Sequence, residues 1–233
     1  MKRPKSANKS ISTLVTEIID NDLSLQDSLN RNYANISSIA RLIQPQLENE
    51  LNRSINLDAI ITATKRSKSS YSINSPEIIS IISNSVISVR TDVSKIVVDK
   101  SKTAISRITK IIDLNKEDSF IHISGGSSVI TIILDNKVTD KIINMFNSTE
   151  IIESQKDLAV IMVQSPKEII HTPGCAISFY NQVSRRNVNI EDTSSCHTDT
   201  IIVVKMGEVS SAFTALSDLI SISRQRLSHL ALS

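Results

Sequence analysis

The first third of the chain carries its apolar residues at the spacing of helices. In residues 11–66 they recur every three or four positions, which places them on one face of each helical segment. The inward faces that this spacing predicts are Ile11, Leu14, Val15 and Ile18; Leu25 and Leu29; Ile36, Ile39, Ala40 and Ile43; and Leu57, Ile60, Ile61 and Thr64. Pro45 is placed to open a new helical turn, and Asn56 is a predicted N-cap. The pattern predicts a helical domain over residues 11–66, after a flexible basic tail at 1–10.

A serine-rich segment separates this helical region from the rest of the chain. Residues 67–76 show no periodicity, and a composition of this kind is typical of a linker. We expect the linker over residues 67–83, with Ser75-Pro76-Glu77 as the cap of a short connecting helix.

From Val86 onward the pattern changes to strands that alternate with helices. The predicted strands are Val86–Val98 (bent near Asp92), Phe120–Ser124, Val129–Leu134, Leu158–Gln164, Val188–Ser195 and Thr200–Met206. The order is β-α-β-β-α, twice, which predicts an α+β fold of the ferredoxin-like type, with antiparallel sheets and helices on one face. We expect one unit over residues 84–150, a second over 155–222 and a C-terminal tail at 223–233.

The two units share a pattern that occurs twice. Residues 127–146 and 198–217 lie 71 positions apart, and each runs from an apolar strand through a polar turn into an amphipathic helix. The alignment places Val138 on Val209. A repeated unit without catalytic residues indicates a sensor built by duplication.

Composition limits the class of protein. Of 233 residues, 40% are hydrophobic and 3% aromatic, with no Trp, so the core must consist mostly of Ile, Val and Leu. The net charge of +2 is too small to indicate a nucleic-acid partner by itself. No apolar run approaches the roughly 18 residues of a membrane span, and Asp20 and Asp22 come too early for a signal peptide. With only two cysteines, we expect a cytoplasmic protein without a disulfide scaffold or a membrane partner.

Several motifs of residues 158–220 occur together in a familiar order. They are an apolar first strand, a loop that ends in Pro173-Gly174, an amphipathic helix, Asn187–Ile190 at the opening of the second strand, and Ala212–Leu216 in the last helix. This region resembles an ACT domain, of the type in the regulatory half of aspartokinases. Residues 86–147 resemble a second, more divergent ACT unit that lacks the Pro-Gly pair.

The resemblance implies regulation rather than phosphoryl transfer. The chain has no room for the kinase domain of an aspartokinase and, with only four Gly, no Gly-rich phosphate loop. ACT pairs commonly bind amino acids at the junction between units. The resemblance therefore implies a homo-oligomer, assembled through its ACT units, that binds an amino acid or a similar small metabolite and needs no cofactor. One departure concerns the effector loop, because Ser165-Pro166 follows the first strand where aspartokinase-type units usually have a Gly.

The loop from Ser165 to Gly174 and the helix start at Cys175 form the predicted ligand site. Free backbone N–H groups at a helix N-terminus suit a carboxylate, and Gly174 permits a close approach to the backbone. Asn189, at the start of a neighbouring strand, could hydrogen-bond the ammonium group or side chain of an amino acid. The predicted ligand-binding residues are Ser165, Thr172, Pro173, Gly174, Cys175, Ala176, Asn189 and Ile190. The alternative is a surface loop and a turn asparagine without a ligand.

The remaining candidate side chains do not indicate chemistry. Cys175 has no base at a suitable spacing, so we expect a small buried thiol. Cys196 and His197 are adjacent on a predicted strand, as are Glu191 and Asp192. Adjacent strand residues point to opposite faces, which argues against a shared metal ion or an acid–base pair. We expect no metal site, no catalytic residue and no enzymatic activity.

The helical N-terminal region is a candidate DNA-binding domain. Ile39-Ala40-Arg41 resembles the interior of the positioning helix in helix-turn-helix domains, and residues 57–66 would be the recognition helix. The predicted DNA contacts are Arg41, Thr62, Lys65 and Arg66. Residues 1–75 hold ten Lys or Arg against seven Asp or Glu, a net charge of only +3. This weak footprint leaves open a helical adaptor that packs on the ACT pair or binds a partner protein.

The sequence thus favours a non-enzymatic regulatory protein. Its tandem ACT module would sense a small metabolite, above all an amino acid, and its N-terminal helices would deliver the output to DNA or to a protein. Two alternatives stay open: a protein-interaction module that needs no ligand, and a regulatory subunit of an amino-acid biosynthetic enzyme.

Overall fold

A computed structural model describes residues 9–30, 34–67, 75–114 and 120–230. The chain divides into two compact units, residues 1–75 and residues 76–233. Most of the predicted basic tail and the centre of the predicted linker, residues 1–8 and 68–74, lie outside the described residues.

The described part of the N-terminal unit is helical. Its helices are α1 (Ile11–Asp20), α2 (Leu23–Asn30), α3 (Ile36–Leu51) and α4 (Leu57–Arg66). The side chains of Ser10, Asn35 and Asn56 accept a backbone N–H at the starts of α1, α3 and α4. α3 continues through Pro45, where the sequence predicted a new turn. The apolar faces meet in one core of Leu14, Val15, Ile19, Ile39, Ala40, Ile43, Leu47, Ile55, Ile60 and Ala63.

The C-terminal unit opens with a helix and then contains the two predicted repeats. Its elements in chain order are α5 (Pro76–Ser83), β1 (Val86–Asp99), α6 (Lys102–Leu114), β2 (Ile121–Gly125), β3 (Val129–Asp135), α7 (Asn136–Ile143), β4 (Ile151–Gln164), a 3-10 helix (Lys167–His171), α8 (Cys175–Arg185), β5 (Asp192–Cys196), β6 (Asp199–Lys205), a 3-10 helix (Met206–Glu208) and α9 (Val209–Leu230). The repeats are therefore β1-α6-β2-β3-α7 and β4-α8-β5-β6-α9. The predicted α+β fold is confirmed.

These strands form one continuous sheet, which the sequence did not predict. Their order is β2-β3-β1-β4-β6-β5, and all neighbours are antiparallel. The two repeats join where β1 pairs with β4. The first half of β1 pairs with the second half of β4, and the second half of β1 with the first half of β4. Each repeat thus gains a fourth strand from the other.

Each of the two central strands bends at an aspartate. Asp92 in β1 and Asp157 in β4 have left-handed φ angles of 56° and 59°, and the β1–β4 register shifts between Arg90 and Val93. Such an irregularity bends and twists a strand. The bend that the sequence predicted near Asp92 is present, and Asp157 is its counterpart in the second repeat.

Helices cover one face of the sheet. In the first repeat, the paired residues Ile96 and Ile132 pack in the core that contains Ile111 of α6 and Ile142 of α7. In the second, the core on this face combines strand residues with side chains of α5, α8 and α9: Ile78, Ile81, Ile82, Ile161, Val163, Cys175, Phe179, Val183, Val188, Ile202, Val204, Ala212, Leu216 and Ile220. The predicted placement of helices on a single face is confirmed.

The opposite face is also buried, because the sheet is curled. Its core consists of Val93, Ile133, Leu158, Val160, Ile201 and Val203. In a flat sheet, five strand spacings would separate β2 from β5 by about 24 Å. Instead, burial lowers the pKa of His122 in β2, and Asp192 in β5 lies close enough for its negative charge to oppose that shift. Likewise, Lys95 Nζ of β1 donates to the carbonyl oxygen of Glu191, the residue before β5, at a distance of 3.4 Å. The two edges therefore approach each other over this face.

Two strand boundaries differ from the prediction. β4 begins at Ile151 rather than Leu158, because its polar first half pairs with β1 and needs no apolar pattern of its own. β5 begins at Asp192 rather than Val188. Val188 is buried in the helix-side core, after Asn187 with a φ of 56°.

A turn and a helix end also differ. His197, predicted on a strand, has a φ of 56° and lies in the turn between β5 and β6. α9 continues to Leu230, through most of the predicted tail. Leu227 in this extension is partly buried, so apolar contact supports the extra turns.

Candidate functional site

The predicted ligand loop follows β4 and is held at two points. Ser165 is buried. Its backbone N–H donates to the carbonyl oxygen of Thr198, which lies in the β5–β6 turn, at a distance of 3.0 Å. Its hydroxyl oxygen lies 2.9 Å from that of Ser85. The Ser85 hydroxyl donates to the carbonyl oxygen of Ile81 in α5, also at 2.9 Å. The start of the loop is thus fixed to the residue that joins α5 to β1.

The end of the loop is a turn that favours glycine. Gly174 is the N-cap of α8 and has a φ of 97°, a conformation that strains any residue with a Cβ. Pro173 before it is exposed, and Ala176 after it is half-buried. No side chain in the described structure caps α8, and no acidic residue lies in its first turn. The first N–H groups of α8 and the positive end of its dipole can therefore serve an anion such as a carboxylate.

Cys175 supplies a backbone N–H at this helix start, while its side chain belongs to the core. The thiol is buried beside Phe179 and Val183. Burial raises its pKa to about 11, because a thiolate is disfavoured in apolar surroundings. The thiol is therefore almost fully protonated at neutral pH and is a poor nucleophile.

The structure does not bring Asn189 and Ile190 to this loop. They follow α8, whose 11 residues span about 16 Å. Ser165 contacts the turn at one end of β5, whereas Asp192 opens the other end. The side-chain amide of Asn189 donates to Glu191 Oε1 at 3.0 Å, and Ile190 packs on the helix-side core. The predicted site is thus divided between the two ends of α8.

Asn189 takes part in a polar cluster around Glu191. The side-chain amide of Gln155 donates to Glu191 Oε2 at 3.3 Å, and Lys205 Nζ lies 3.9 Å from Oε1. The hydrogen bond from Asn189 contributes most to lowering the pKa of Glu191, and the nearby Lys205 and Lys95 act in the same direction against partial burial. The Asn189 amide therefore holds a carboxylate of the chain itself.

A groove of about 740 Å³ opens beside the loop. The described residues in its wall come from α5, from the loop and from the end of α9. They are Pro76, Glu77, Ser80, Ile81, Asn84, Pro166, Glu168, Thr172 and Leu227. Thr172 is the one member that the sequence predicted as ligand-binding. Pro166 and Glu168 lie in the predicted loop but were not among the predicted ligand-binding residues. The residues of α5 and Leu227 were missed because α5 was assigned to the linker and Leu227 to the tail. The available signal was the isoleucine-rich sequence of α5.

Outside this region, the candidate side chains lie apart. Within the described ranges, no group of three or more His, Cys, Asp or Glu residues could hold a metal ion. In the N-terminal unit, all four predicted DNA contacts, Arg41, Thr62, Lys65 and Arg66, are exposed. The last three share one face of α4 with Asp58, which is also exposed. That face therefore carries two positive charges and one negative charge.

The fold is similar to that of several solved structures of aspartate kinases and their regulatory subunits. The chain is similar to the aspartate kinase of Synechocystis, with 18% identity over 60% of this chain and 27% of that enzyme, at a TM-score of 0.50. It is also similar to the aspartate kinase of Clostridium acetobutylicum, with 17% identity over 57% of this chain and 34% of that enzyme, at a TM-score of 0.46. A third similar structure is the regulatory subunit of aspartate kinase from Thermus thermophilus, with 12% identity over 57% of this chain and 95% of that subunit, at a TM-score of 0.48.

These similarities concern the fold. The aligned region spans about a third of the Clostridium enzyme and about a quarter of the Synechocystis enzyme. At such identity, the match to the Synechocystis enzyme confirms the aspartokinase-like fold that the sequence predicted. No protein-family model matches the sequence, and no curated protein is significantly similar to it. None of the helices in the described ranges is both long enough and apolar enough to cross a bilayer.

Proposed function

We propose that this chain is a non-enzymatic regulatory protein whose C-terminal unit binds an amino acid or a similar small metabolite. The observation that carries the proposal is the uncapped start of α8, which follows a glycine at φ 97°. Backbone N–H groups at a helix start bind carboxylates. The residues that would hold the carboxylate are Gly174, Cys175 and Ala176, through their main chain. Asn189 and Ile190 are not included in this site.

The same loop offers a route from ligand to output. Ser165 and Ser85 link the loop to the end of α5, and Arg224 Nε of α9 donates to the carbonyl oxygen of Ser83 at 2.8 Å. α5 follows the segment that leads to the N-terminal unit in the chain. A ligand that binds one arrangement of the loop more tightly than another would shift the equilibrium between the corresponding positions of α5. The size of that shift is set by the difference in the ligand's affinity for the two arrangements.

The output that we propose is DNA binding by the N-terminal unit. Its support is the exposure of Arg41, Thr62, Lys65 and Arg66. The weak net charge of residues 1–75 keeps a protein-binding adaptor as the second candidate output.

Calorimetry of the full chain with the twenty amino acids tests the ligand. We expect at least one amino acid to bind and to raise the melting temperature of the chain. The Gly174→Ala variant should bind that amino acid about tenfold more weakly, or worse. A Cβ at a left-handed φ costs about 1–2 kcal/mol and crowds the approach to the N–H groups. The matched control is Gly207→Ala, where an added Cβ would meet nothing within 4 Å. No heat and no change in melting temperature with any amino acid would refute ligand sensing. Equal affinity in both variants would refute the site.

Anisotropy with random duplex DNA at low and high salt, with and without the bound amino acid, tests the output. We expect a salt-sensitive affinity that the amino acid changes. Lys65→Ala should weaken binding, and Lys110→Ala, on α6, serves as its control. Absence of DNA binding would favour the adaptor.

Light scattering tests the expected homo-oligomer: assembly that does not depend on amino acids, together with no ligand binding, would favour the ligand-independent interaction module. Co-purification with a biosynthetic enzyme would favour a regulatory subunit.

A further inference from the structure

We propose that a pocket between α1 and α3 of the N-terminal unit binds the first eight residues of the same chain and keeps their charges from other anions. This N-terminal segment, residues 1–8, lies outside the described residues and contains Lys2, Arg3 and Lys5. The inference goes beyond the proposed function, because it depends on neither the amino-acid site nor DNA binding.

The pocket is small and has an acidic wall. Its volume is about 250 Å³, and its lining residues come from α1, from the joint between α1 and α2 and from the end of α3: Leu14, Glu17, Ile18, Asn21, Asp22, Gln46 and Glu50. Small-molecule sites commonly measure about 300–1,000 Å³. The pocket therefore suits one long side chain better than a metabolite.

Two of the three carboxylates in the wall have no cation as a partner. Glu17 is matched, because both of its oxygens accept from Lys9 Nζ, at 2.6 and 2.7 Å. Asp22 accepts from two backbone N–H groups, and Glu50 accepts from the side-chain amide of Gln46 at 3.3 Å. These donors are neutral, and no described Lys, Arg or His forms an ion pair with either residue. The negative charges of Asp22 and Glu50 therefore attract a further cation.

Lys9 shows where the N-terminal segment joins this surface. It directly precedes Ser10, the N-cap of α1, and its side chain reaches Glu17 two turns along that helix. The first described residue of the chain thus already places an ammonium group on the rim of the pocket. From Ser10 to Asp22 a helix rises about 18 Å, whereas the residues from Lys2 to Lys9 can span about 23 Å. The whole pocket is therefore within reach of the segment.

The N-terminal segment and the helices carry opposite net charges. Within residues 9–67, the described part holds five Lys or Arg against seven Asp or Glu, a net charge of −2. Residues 1–8 hold three positive side chains and no negative one. A short connection keeps such a segment at a high local concentration. The stem of a lysine or arginine can pack on Leu14 and Ile18 while its charge lies at the carboxylates.

The contact would regulate access to the most basic part of the unit. A polyanion such as DNA would compete with Asp22 and Glu50 for the N-terminal segment, because phosphates attract the same side chains. Binding of the segment to the pocket is therefore an autoinhibitory contact toward anionic partners.

Brief trypsin digestion of the full chain, followed by intact mass measurement, tests the contact. Cleavage after Lys5 follows the fraction of chains whose N-terminal segment has left the pocket. In Asp22→Asn/Glu50→Gln we expect this cleavage to be about fivefold faster at low salt, the effect of exposed ion pairs worth about 1 kcal/mol together. At about 0.5 M salt the difference should vanish, because exposed charges are then screened.

A matched variant controls for the change in charge. Asp58→Asn/Glu168→Gln removes two negative charges from exposed residues outside the pocket and should leave the cleavage rate unchanged. Asparagine caps helices as well as aspartate does, so Asp22→Asn retains the start of α2.

Carbodiimide cross-linking of the unsubstituted chain provides a second measurement. We expect it to join Lys2 or Lys5 to Asp22 or Glu50. Cross-links from these lysines that lead to other carboxylates would overturn the inference, and so would equal cleavage rates in the pocket and control variants. Protection from trypsin that rises with protein concentration would place the segment in the pocket of a second copy and would overturn binding within one chain.

The outcomes also separate this inference from the proposed output. If the pocket variant is cleaved faster and no variant binds DNA, the inference stands and the proposed DNA binding fails. If the pocket and control variants are cleaved alike and bind DNA alike, the inference fails and the proposed DNA binding stands.

Discussion

Leu158→Ala tests whether the second face of the sheet is a true core. A sheet with helices on one face commonly exposes the other to water, and a leucine there would contribute little. In this structure Leu158 is 0% exposed and packs with Val93, Val160 and Val203. Replacing a fully buried leucine by alanine costs about 2–5 kcal/mol, from lost burial and from the cavity that stays behind. The ladders on both sides of β4 prevent the strands from closing that cavity. We therefore expect about 3 kcal/mol, or roughly a 150-fold change in the unfolding equilibrium.

Native-state hydrogen exchange of the full chain is the suitable assay, because two compact units need not unfold in one transition. Peptides from β4 and β6 report the stability of the C-terminal unit alone. Ile152→Ala provides the control in the same strand, since Ile152 is 59% exposed and should change stability by less than about 0.5 kcal/mol. If both variants lose the same small amount of protection, the second face is open and the curled sheet is wrong.

Further predictions concern thiol reactivity, acid stability and backbone strain. At pH 8, a thiol reagent should label the exposed Cys196 in the folded chain, and Cys175 only after unfolding, because burial raises the pKa of Cys175 to about 11; equal rates in the folded state would contradict this. Burial acts to raise the pKa of Asp135, but hydrogen bonds from Arg90 and from a backbone N–H outweigh it and hold the pKa below the usual value. The stability that Asp135 contributes is therefore present above about pH 4 and lost as the pH falls through its folded-state pKa. The urea midpoint of Asp135→Asn should then fall less than that of the unsubstituted chain between pH 5 and pH 3, and parallel curves would argue against it. Asp157→Gly should be tolerated at φ 59°, whereas Asp157→Val should cost about 1–2 kcal/mol; scanning calorimetry would disprove the strain if both variants melt alike.

The candidate site shows where sequence reasoning succeeds and where it stops. The turn at Gly174 and the helix that starts at Cys175 could be located from the Pro-Gly pair and the apolar stripe that follows. The separation of Asn189 from that turn follows from the length of α8, because the turn precedes this helix and Asn189 comes after it. The sequence already placed the two on either side of a helix, but the prediction still assigned both to one site. The short connecting helix predicted after Ser75-Pro76-Glu77 is present as α5, but the sequence assigned it to the linker rather than to the C-terminal core. Its isoleucines become informative once they are seen to pack with α9.

The sequence by itself determined the local elements and their repetition. Apolar periodicity predicted helices and most strands, and the doubled order predicted the α+β fold, because these signals depend on residues within a few positions of each other. Tertiary structure alone decided that β1 and β4 join two sheets into one, that the sheet curls to bury Leu158 and Val160, and that α5 and the end of α9 form a groove beside the ligand loop. Those features depend on contacts between residues far apart in the chain. The energies of such contacts cannot be read from the spacing of apolar residues within a single segment.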